Sequence, residues 1–300
     1  MTATPGQLRA HLPRPLAARL HRVRSRLVRG RPYLASPSLR RSTRLKLVVV
    51  TAFVALPGAR HRDVRLRLRR GGEIYLRTDT IDIDILTLDD AMTRRYFPGD
   101  VRDRVVLDLG AHKGYVAAAW LHDGCRAVYS LEPESENFRC LQKATVDAVT
   151  GGRWVRARQA IGPADGRAQL QVSSESWSHS MYAPASGRVL RTEEVEVVAF
   201  GALLERVERQ HPDAELVVKL NVEGMAGDCL LSVEPERLHR VRHLFIDLEA
   251  NTPQSLEQLV THAARAGLEV QGELQNVWHF ARSGDALQPP GRASGSATGG

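Results

Sequence analysis

The residues best suited to chemistry are two carboxylates and two glycines, spaced as in a strand, a tight turn and a helix: Asp108, Gly110, Gly114 and Glu132. Apolar runs precede Asp108 and Glu132, as expected for two buried strands, and the residues after Gly114 have a helical pattern. In a βαβ unit, a carboxylate about 20 residues beyond the glycine turn lies at the end of the second strand, where it can accept two hydrogen bonds from a ribose diol. This spacing predicts a nucleoside site.

Two kinds of nucleoside cofactor share this layout, and the glycines help to distinguish them. A dinucleotide site needs the pattern G-x-G-x-x-G so that backbone amides can approach the pyrophosphate, whereas this turn has only Gly110 and Gly114. The pattern D-x-G-x-x-x-G suits a ligand without phosphate, such as S-adenosylmethionine, with the methionine amino group as the cationic partner of Asp108. A purely structural alternative is that Asp108 and Glu132 cap helices and end strands.

A second polar set lies at the end of a later apolar strand, which reads Val-Val-Lys-Leu-Asn-Val-Glu-Gly. Alternation places Lys219, Asn221 and Glu223 on one side, at the edge of the sheet where a substrate would meet the nucleoside. Polar groups at every second position of an apolar strand are costly unless they are used or paired. The alternative to a catalytic role is that Lys219 and Glu223 pair with each other or with acidic residues of an N-terminal cap.

Strands and helices alternate from residue 102 onward, which predicts an α/β fold with a doubly wound, mostly parallel sheet. Such sheets bind ligands at the carboxyl ends of their strands. The predicted strands are 104–109, 126–131, 153–160, 168–172, 195–199, 215–220 and 243–249. The predicted helices are 113–123, 134–149, 200–210, 226–233 and 253–266. A terminal antiparallel hairpin is predicted at 268–281.

The residues before this domain are predicted to form a small cap. Residues 64–68 and 73–77 alternate around Gly71 and Gly72 as in a β-hairpin, and 81–85 reads Ile-Asp-Ile-Asp-Ile, an alternation typical of a strand with one acidic face. The cap could cover the site or simply seal one edge of the sheet. We therefore divide the chain into a basic, flexible arm (1–44), the cap (45–100), the S-adenosylmethionine-binding domain (101–282) and a disordered tail (283–300).

Positive charge is concentrated at the N-terminal end of the chain. Residues 1–70 contain 18 Arg or Lys and a single acid, Asp63, whereas the remainder contains 24 Arg or Lys and 33 Asp or Glu. The arm is most simply a solvated tail, but its charge also suits an anionic membrane surface or a polyanion. Nucleic acid is the least favoured partner, because the arm nearly lacks the aromatic residues that stack on bases.

Cysteine and histidine usage indicates neither a disulfide framework nor a metal site. The three cysteines are few and scattered, which favours a reducing compartment. His239 and His243 are separated by a helix-to-strand boundary, so we interpret them as unrelated surface residues. The longest nearly uncharged run, 47–59, is too short for a bilayer span. We therefore expect a cytoplasmic protein, peripheral to the membrane if the arm binds lipid.

Over about residues 60–282 the chain resembles the FkbM-type S-adenosylmethionine-dependent methyltransferases. The stretches that match in order are LRTDTIDIDIL, VVLDLGAHKGY, SLEPESENFRCLQ, QAIGPADGRAQL with a Ser-rich loop behind it, VVKLNVEGM and LFIDLEAN. The glycine turn is common to many methyltransferases, but its combination with the Lys-x-x-x-Glu-Gly strand end is fairly specific. The resemblance implies a Rossmann-like class I methyltransferase fold and methyl transfer, usually to a hydroxyl of a sugar, glycan or natural product.

The resemblance also implies roles for individual residues. The cofactor turn would consist of Asp108, Gly110, Ala111, His112 and Gly114. Glu132 would hold the ribose, and Ala160 and Ile161 would lie along the adenine. Glu223 is the first candidate for the base or for the residue that orients the substrate. Lys219 and Asn221 would position it, and His112 is the alternative base unless it bonds only locally.

One position departs from the family pattern, which usually has Asp where this chain has Asn221. An amide cannot serve as a base, so the chain relies on Glu223 or is a catalytically weak or inactive binding scaffold. A nicotinamide-dependent oxidoreductase is disfavoured by the missing third glycine. The long polar loop 173–187 is predicted to be a substrate lid in which Trp177 either stacks on a sugar or packs back onto the domain.

Overall fold

The computed structural model describes residues 36–54, 62–93, 95–147, 152–175, 178–182, 187–249 and 252–284. Most of the predicted arm, Trp177 of the predicted lid and nearly all of the predicted tail lie outside these residues. Among the helices of these segments, none is both long enough and apolar enough to cross a membrane.

The described residues form twelve strands and seven α-helices. The strands are β1 Asp63–Arg67, β2 Glu73–Arg77, β3 Val105–Leu109, β4 Ala127–Leu131, β5 Trp154–Ala157, β6 Ala160–Gly162, β7 Gly166–Ser173, β8 Val189–Ala199, β9 Leu216–Leu220, β10 Val241–Asp247, β11 Glu269–Leu274 and β12 Val277–Ala281. The helices are α1 Arg41–Val54, α2 Ile81–Met92, α3 Tyr115–His122, α4 Ser135–Lys143, α5 Phe200–Gln210, α6 Ala226–Leu231 and α7 Leu256–Arg265.

Seven strands form the central sheet in the order β11-β12-β10-β9-β3-β4-β5. The strands from β10 to β5 run parallel, and β12 pairs antiparallel with both β10 and β11. The chain moves outward from β3 through β4 and β5, and then returns to the other side at β9. Ligands bind at such a switch point, outside the carboxyl ends of the strands. The predicted doubly wound α/β sheet with its terminal hairpin is therefore confirmed.

Alternate side chains of the strands enter two apolar cores, one on each face of the sheet. Val106 and Val217 lie in the core that α1 to α4 and the hairpin cover, whereas Leu107 and Val218 lie in the core that α5, α6 and α7 cover. Burial on both faces explains why β3, β4 and β9 are apolar almost throughout. Polar residues at the ends of these strands are therefore the ones that need an explanation.

The cap contains the predicted hairpin, with β1 and β2 paired from Asp63 opposite Arg77 onward. The strand expected at 81–85 is wrong, because this segment begins helix α2. Its longer pattern explains the difference: Ile81, Ile85 and Leu88 recur at helical spacing, and all three are buried. Helix α1 also crosses the predicted boundary between arm and cap at residue 44.

Two predicted elements end earlier than expected. The predicted strand 153–160 is divided at Arg158 and Gln159 into β5 of the central sheet and β6, which joins β7 and β8 in a separate three-stranded sheet. The predicted helix 134–149 ends at Lys143, because Thr145 exchanges two backbone hydrogen bonds with Glu73 at the edge of β2.

The interpretation of His243 as a surface residue is also wrong. Strand β10 is enclosed by both cores, so His243 is only 1% exposed, and its Nδ1 lies 3.1 Å from Nε2 of His279. Burial lowers the pKa of His279 to about 3, so this ring is neutral at physiological pH. The pair is an internal polar contact between β10 and β12.

Candidate active site

A cavity of about 530 Å³ opens at the carboxyl ends of β3, β4, β9 and β10. This volume lies within the range of about 300–1,000 Å³ that is typical of small-molecule sites. Most of the predicted site residues line the cavity: Gly110, Ala111, His112, Glu132, Ala160, Ile161, Lys219, Asn221 and Glu223. Asp108 and Gly114 lie behind its wall. The two polar sets that are far apart in the sequence therefore meet at one place.

The glycine turn is shaped by its contact with the end of β9. Gly110 has φ +74°, and a Cβ atom built there would lie 1.7 Å from the carbonyl oxygen of Asn221. Gly114 has φ +85°, and its Cβ would lie 2.7 Å from Leu141 and 2.9 Å from Trp154. Both positions require glycine, because the backbone conformation and the space exclude a side chain. The turn therefore packs closely against the end of β9 on one side and against α4 and β5 on the other.

Glu132 is fixed by backbone donors at the cavity wall. Its Oε2 accepts a hydrogen bond from the amide of His112 at 2.8 Å, and its Oε1 accepts one from the amide of Glu134 at 3.0 Å. Burial, reinforced by the charge of Glu134, raises the pKa of Glu132 to about 8. A carboxyl group whose two oxygens are held in place can present its remaining lone pairs to a diol.

Asp108 has its cationic partner inside the protein. Nζ of Lys219 lies 3.0 Å from Oδ1 of Asp108 and donates a hydrogen bond to the carbonyl oxygen of Gly110 at 2.7 Å. Asp108 is fully buried, and Lys219 is the group that pairs with its carboxylate in the described residues. The carboxylate of Asp108 therefore has an ion pair with Lys219 inside the protein, and its contact with a ligand amino group stays a prediction. The alternative pairing of Lys219 with Glu223 is not observed either.

A second buried ion pair, which the sequence did not predict, connects the turn to the cap. Nζ of Lys113 lies 2.7 Å from Oδ1 of Asp84 in α2, and both side chains are fully buried. Thr80 also accepts a hydrogen bond from Lys113, at 3.3 Å. Thr87 and Phe97 of the cap reach the wall of the cavity. The cap thus contributes both to the position of the turn and to the cover of the site.

Two further carboxyl groups line the cavity and were not among the predicted site residues. In the parallel pairing of β9 and β10, Ile246 lies beside Leu220, which places the next residue, Asp247, beside Asn221. Glu249 follows Asp247 at the cavity wall. The sequence does contain a signal for these two residues, because an apolar run ends in Asp-Leu-Glu. The same kind of strand end led to the prediction of Glu132.

The carboxyl groups differ in how readily they ionise. Burial raises the pKa of Asp247 to about 6, and the charge of Lys219 partly offsets this rise. Burial and the neighbouring Glu249 raise the pKa of Glu223 far above that of an ordinary glutamate. The pKa of Glu249 is also raised, first by burial. Near neutral pH, Glu223 therefore holds a proton while Asp247 is mostly ionised.

His112 lies at the cavity wall but is held by its neighbours. Its Nε2 is 3.1 Å from Nζ of Lys113, so the ring accepts a hydrogen bond from this ammonium group. Although part of its surface faces the cavity, protein surrounds the ring, and burial together with the charge of Lys113 keeps the pKa of His112 well below its usual value. A neutral ring whose acceptor nitrogen is already used favours the local role over that of the alternative base.

The described part of the predicted lid, residues 178–182, forms one wall of the cavity. Ser180 Oγ donates a hydrogen bond to the carbonyl oxygen of Glu223 at 2.7 Å, and Nδ1 of His179 accepts one from the amide of Ser173 at 3.1 Å. Burial lowers the pKa of His179 to about 4. The segment is therefore attached to the end of β9 by a neutral network, whereas Trp177 lies outside the described residues.

Two residues at the cavity have a strained backbone. Of the five non-glycine residues with positive φ in the described segments, His112 and Glu223 line the cavity. Gln275 and Asn276 also reach it, but they form the two-residue turn between β11 and β12, where positive φ is the ordinary geometry. At His112 and Glu223 such a conformation costs on the order of 1–3 kcal/mol each, and strain of this kind is retained mainly at functional sites. Their position supports the same location that the polar residues indicate.

The sheet order, the glycine turn and the strand-end carboxylate together define a class I methyltransferase. The chain belongs to the FkbM methyltransferase domain family, whose pattern it matches over residues 108–274. Its cofactor is S-adenosylmethionine.

Solved structures resemble the chain in fold at low sequence identity. No curated protein has significant sequence similarity to the chain. A candidate RNA methyltransferase from Pyrococcus horikoshii is 12% identical, with a TM-score of 0.33, over 66% of this chain and 84% of that one. A candidate S-adenosylmethionine-dependent methyltransferase from Streptococcus mutans is 8% identical, with a TM-score of 0.40, over 80% and 64%. One from Listeria monocytogenes is 7% identical, with a TM-score of 0.35, over 66% and 99%.

The residues present fit the cofactor. Glu132 is immobilised at the end of β4, where it can receive the two ribose hydroxyls, and the apolar residues Ala160 and Ile161 line the cavity nearby. The turn at Gly110 presents only backbone to the cavity, because its missing side chain leaves the space that the end of β9 occupies. Each of these residues would hold a part of the cofactor without a phosphate-binding loop.

Proposed function

We propose that the protein transfers the methyl group of S-adenosylmethionine to a hydroxyl oxygen of a sugar, glycan or natural product. The observation that carries this proposal is the carboxylate of Asp247, which lies beside Asn221 on the neighbouring strand and lines the same cavity. A hydroxyl oxygen needs a base while it is alkylated, because its proton becomes acidic as the new bond forms. A neutral amine can attack without such a base.

Asp247 is the base in this proposal. With a pKa of about 6, its carboxylate is mostly ionised at neutral pH and still basic enough to take a proton. S-adenosylmethionine, when bound, supplies a methyl group on a cationic sulfur that retains the electrons of the broken bond. As the acceptor oxygen bonds to the methyl carbon, its proton moves to Oδ of Asp247 and later passes to solvent.

Glu223 takes the second of the two roles predicted for it, that of orienting the substrate. Because its raised pKa keeps it protonated, it can donate a hydrogen bond to the acceptor but cannot accept its proton. Lys219 and Asp108 fix the end of β9 against the turn. Alignment of this kind can contribute on the order of 7–11 kcal/mol in favourable cases, so positioning is the larger part of the proposed catalysis.

The cofactor site is tested by calorimetric titration of the purified protein with S-adenosylmethionine, S-adenosylhomocysteine and NAD. Binding of the two adenosyl sulfur ligands, absent with NAD and lost in Glu132→Ala, is the expected result. The variant must keep the circular dichroism spectrum of the parent. NAD binding, or unchanged binding of the sulfur ligands by the variant, would contradict the assignment of Glu132.

The acceptor is tested with S-adenosylmethionine that carries a ¹³C-methyl group. Glycosides, oligosaccharides and hydroxylated natural products are each offered with a matched amino analogue, and the product is identified by NMR. We expect methyl ethers; N-methyl products with untouched hydroxyls would overturn the proposal. Cofactor binding without any product across the panel would favour the binding-scaffold alternative that Asn221 raises.

A further inference from the structure

Helix α1 has an apolar face that the protein leaves exposed. Leu45 and Val49, one helical turn apart, are 66% and 63% exposed and are the most exposed large apolar residues in the described segments. Arg41 and Lys46 are exposed beside them. The opposite side of the helix is anchored, because Thr43 and Leu47 are buried. The helix is therefore held in place with an apolar centre and a cationic border turned outward.

The cationic border continues onto the hairpin. Lys46 Nζ donates a hydrogen bond to the carbonyl oxygen of Arg65, and the amide of Arg67 donates one to Thr43 Oγ1, so β1 runs alongside α1. Arg65 and Arg67 are themselves exposed. We call the surface formed by Arg41, Leu45, Lys46, Val49, Arg65 and Arg67 the α1 face.

The acids near the α1 face do not neutralise it. Residues 1–62 contain no Asp or Glu, and the first acid, Asp63, is bound by Arg139 and Lys143. Glu73 lies 3.6 Å from Arg65 and 3.4 Å from Arg67, and one carboxylate cannot balance both. The α1 face therefore keeps a net positive charge around its apolar centre.

We propose that the α1 face binds the surface of an anionic lipid bilayer, with Leu45 and Val49 inserted at the level of the headgroups. An apolar strip bordered by Lys and Arg is the combination that anionic interfaces attract, since burial of the apolar side chains and the surface potential act together. Residues 1–35, which precede α1 in the chain, add eight arginines and no acid. This proposal is independent of the proposed reaction.

The α1 face could instead be covered by the N-terminal arm of the same chain or by a second copy of the protein, but charge argues against both. Residues 1–35 are as cationic as the face, so the arm and the face repel each other. A second copy that presents the same face in a symmetric dimer would bring two cationic borders together. An anionic bilayer is the occupant whose charge is complementary.

The test is sedimentation of the full-length protein with vesicles of phosphatidylcholine alone or of equal parts phosphatidylcholine and phosphatidylglycerol. We expect the parent protein to bind the anionic vesicles only. The double variant Leu45→Glu/Val49→Glu should bind them at least about tenfold more weakly. The matched control is Val189→Glu/Leu190→Glu, which changes the charge equally at residues that are 45% and 54% exposed on β8. Equal binding to both vesicles, or equal loss in both double variants, would overturn the proposal.

Labelling of a single cysteine introduced at the α1 face distinguishes a bilayer from the N-terminal arm and from a second copy of the protein. The three native cysteines are buried, so a polarity-sensitive maleimide dye will label Val49→Cys selectively. We expect rapid labelling of the free protein and a blue shift on addition of anionic vesicles. Slow labelling of the free monomer would show that the chain itself covers the face, and a dimer in analytical ultracentrifugation that Leu45→Glu/Val49→Glu abolishes would show a second copy. Either result would overturn the proposal.

Discussion

Glu223 and Asp247 line one cavity but carry different charges near neutral pH. Burial and the neighbouring Glu249 raise the pKa of Glu223 far above that of an ordinary glutamate. Burial raises the pKa of Asp247 only to about 6, because the charge of Lys219 offsets part of the effect. The residue that sequence reasoning places first among the candidate bases is therefore the more suitable proton donor. The neighbouring strand provides the group that can accept a proton.

Replacement of Asp247 by Asn should lower kcat by about 10²- to 10⁴-fold, the contribution of a positioned base. S-adenosylmethionine affinity should stay within a few-fold, because the cofactor residues are unchanged. Glu223→Gln is the matched control and should lose less than about tenfold, since Gln resembles the protonated acid. The reverse order of the two losses, with cofactor binding retained in both, would return the role of base to Glu223.

The pH dependence of kcat/KM should follow the ionisation of Asp247. Its folded pKa is about 6, so the active carboxylate is lost as pH falls through this value and the rate should drop tenfold for each further pH unit. Initial rates at saturating cofactor between pH 5 and pH 8 provide the measurement. A flat profile over this range would exclude Asp247 as the base.

At the scale of elements, the site depends on the close approach of the β3 turn to the end of β9 and on the docking of α2. Gly110 allows the first contact and the Asp84–Lys113 pair supports the second. Both features lie next to residues that line the cavity, so they affect function through position.

Gly110→Ala should destabilise the protein by more than Gly124→Ala and should abolish cofactor binding. Both glycines have positive φ, +74° and +89°, so both variants pay about 1 kcal/mol of backbone strain. Only at Gly110 would the new methyl group meet backbone, 1.7 Å from the Asn221 carbonyl, whereas the nearest atom at Gly124 is 4.0 Å away. Urea unfolding measures the destabilisation, and calorimetry measures cofactor binding. Equal destabilisation of the two variants would show that the backbone of the turn can move enough to accommodate the methyl group.

Lys113→Met should cost about 3–5 kcal/mol in the free energy of unfolding, because the buried carboxylate of Asp84 would lose its cationic partner and keep a hydrogen bond from Thr80. The double variant Asp84→Leu/Lys113→Met should lose less than the sum of the single variants. Arg167→Met, which removes an exposed pair with Glu194 whose side chains are 76% and 56% exposed, is the control and should cost less than about 1 kcal/mol. Additive losses in the double-mutant cycle would mean that the pair does not hold α2.

At the scale of the whole molecule, the cavity gathers carboxyl groups from three strands of the sheet. Glu132 follows β4, Glu223 follows β9, Asp247 ends β10 and Glu249 lies just beyond it. Burial raises the pKa of all four. The folded protein therefore holds protons that the unfolded chain releases.

The ligand-free protein should lose stability as pH rises from about 7 to about 8. In this window the raised pKa values of Glu132, Glu223 and Glu249 let the native state hold protons that the unfolded chain has released. Histidines with a lowered pKa, such as His179 and His279, are mostly neutral in both states there, so the free energy of unfolding falls with pH. Glu132→Gln should reduce this slope. Thermal unfolding at several pH values is the measurement, and a stability that rises across this window would contradict the raised pKa values.

The sequence alone determined the fold and part of the wall of the site. Period-2 apolar runs, the Gly110 and Gly114 turn and the strand-end Glu132 are local signals, and each one reports directly on backbone geometry or burial. They were sufficient for the doubly wound sheet and for Gly110, Glu132, Lys219, Asn221 and Glu223 of the cavity. The family and the roles of Ala111, His112, Ala160 and Ile161 came from a resemblance to known sequences. One exception in the fold was α2, where the short Ile-Asp alternation resembled a strand although the spacing of Ile81, Ile85 and Leu88 was helical.

Only the tertiary structure decided which polar side chains meet. Asp108 pairs with Lys219, Lys113 pairs with Asp84, and Asp247 lies beside Asn221, and in each case the partners are far apart in the chain. Pairing between strands and docking of helices depend on the sheet order and on register, which side-chain periodicity does not encode. The pKa values follow from the same cause, because they depend on burial and on neighbours that the fold brings together.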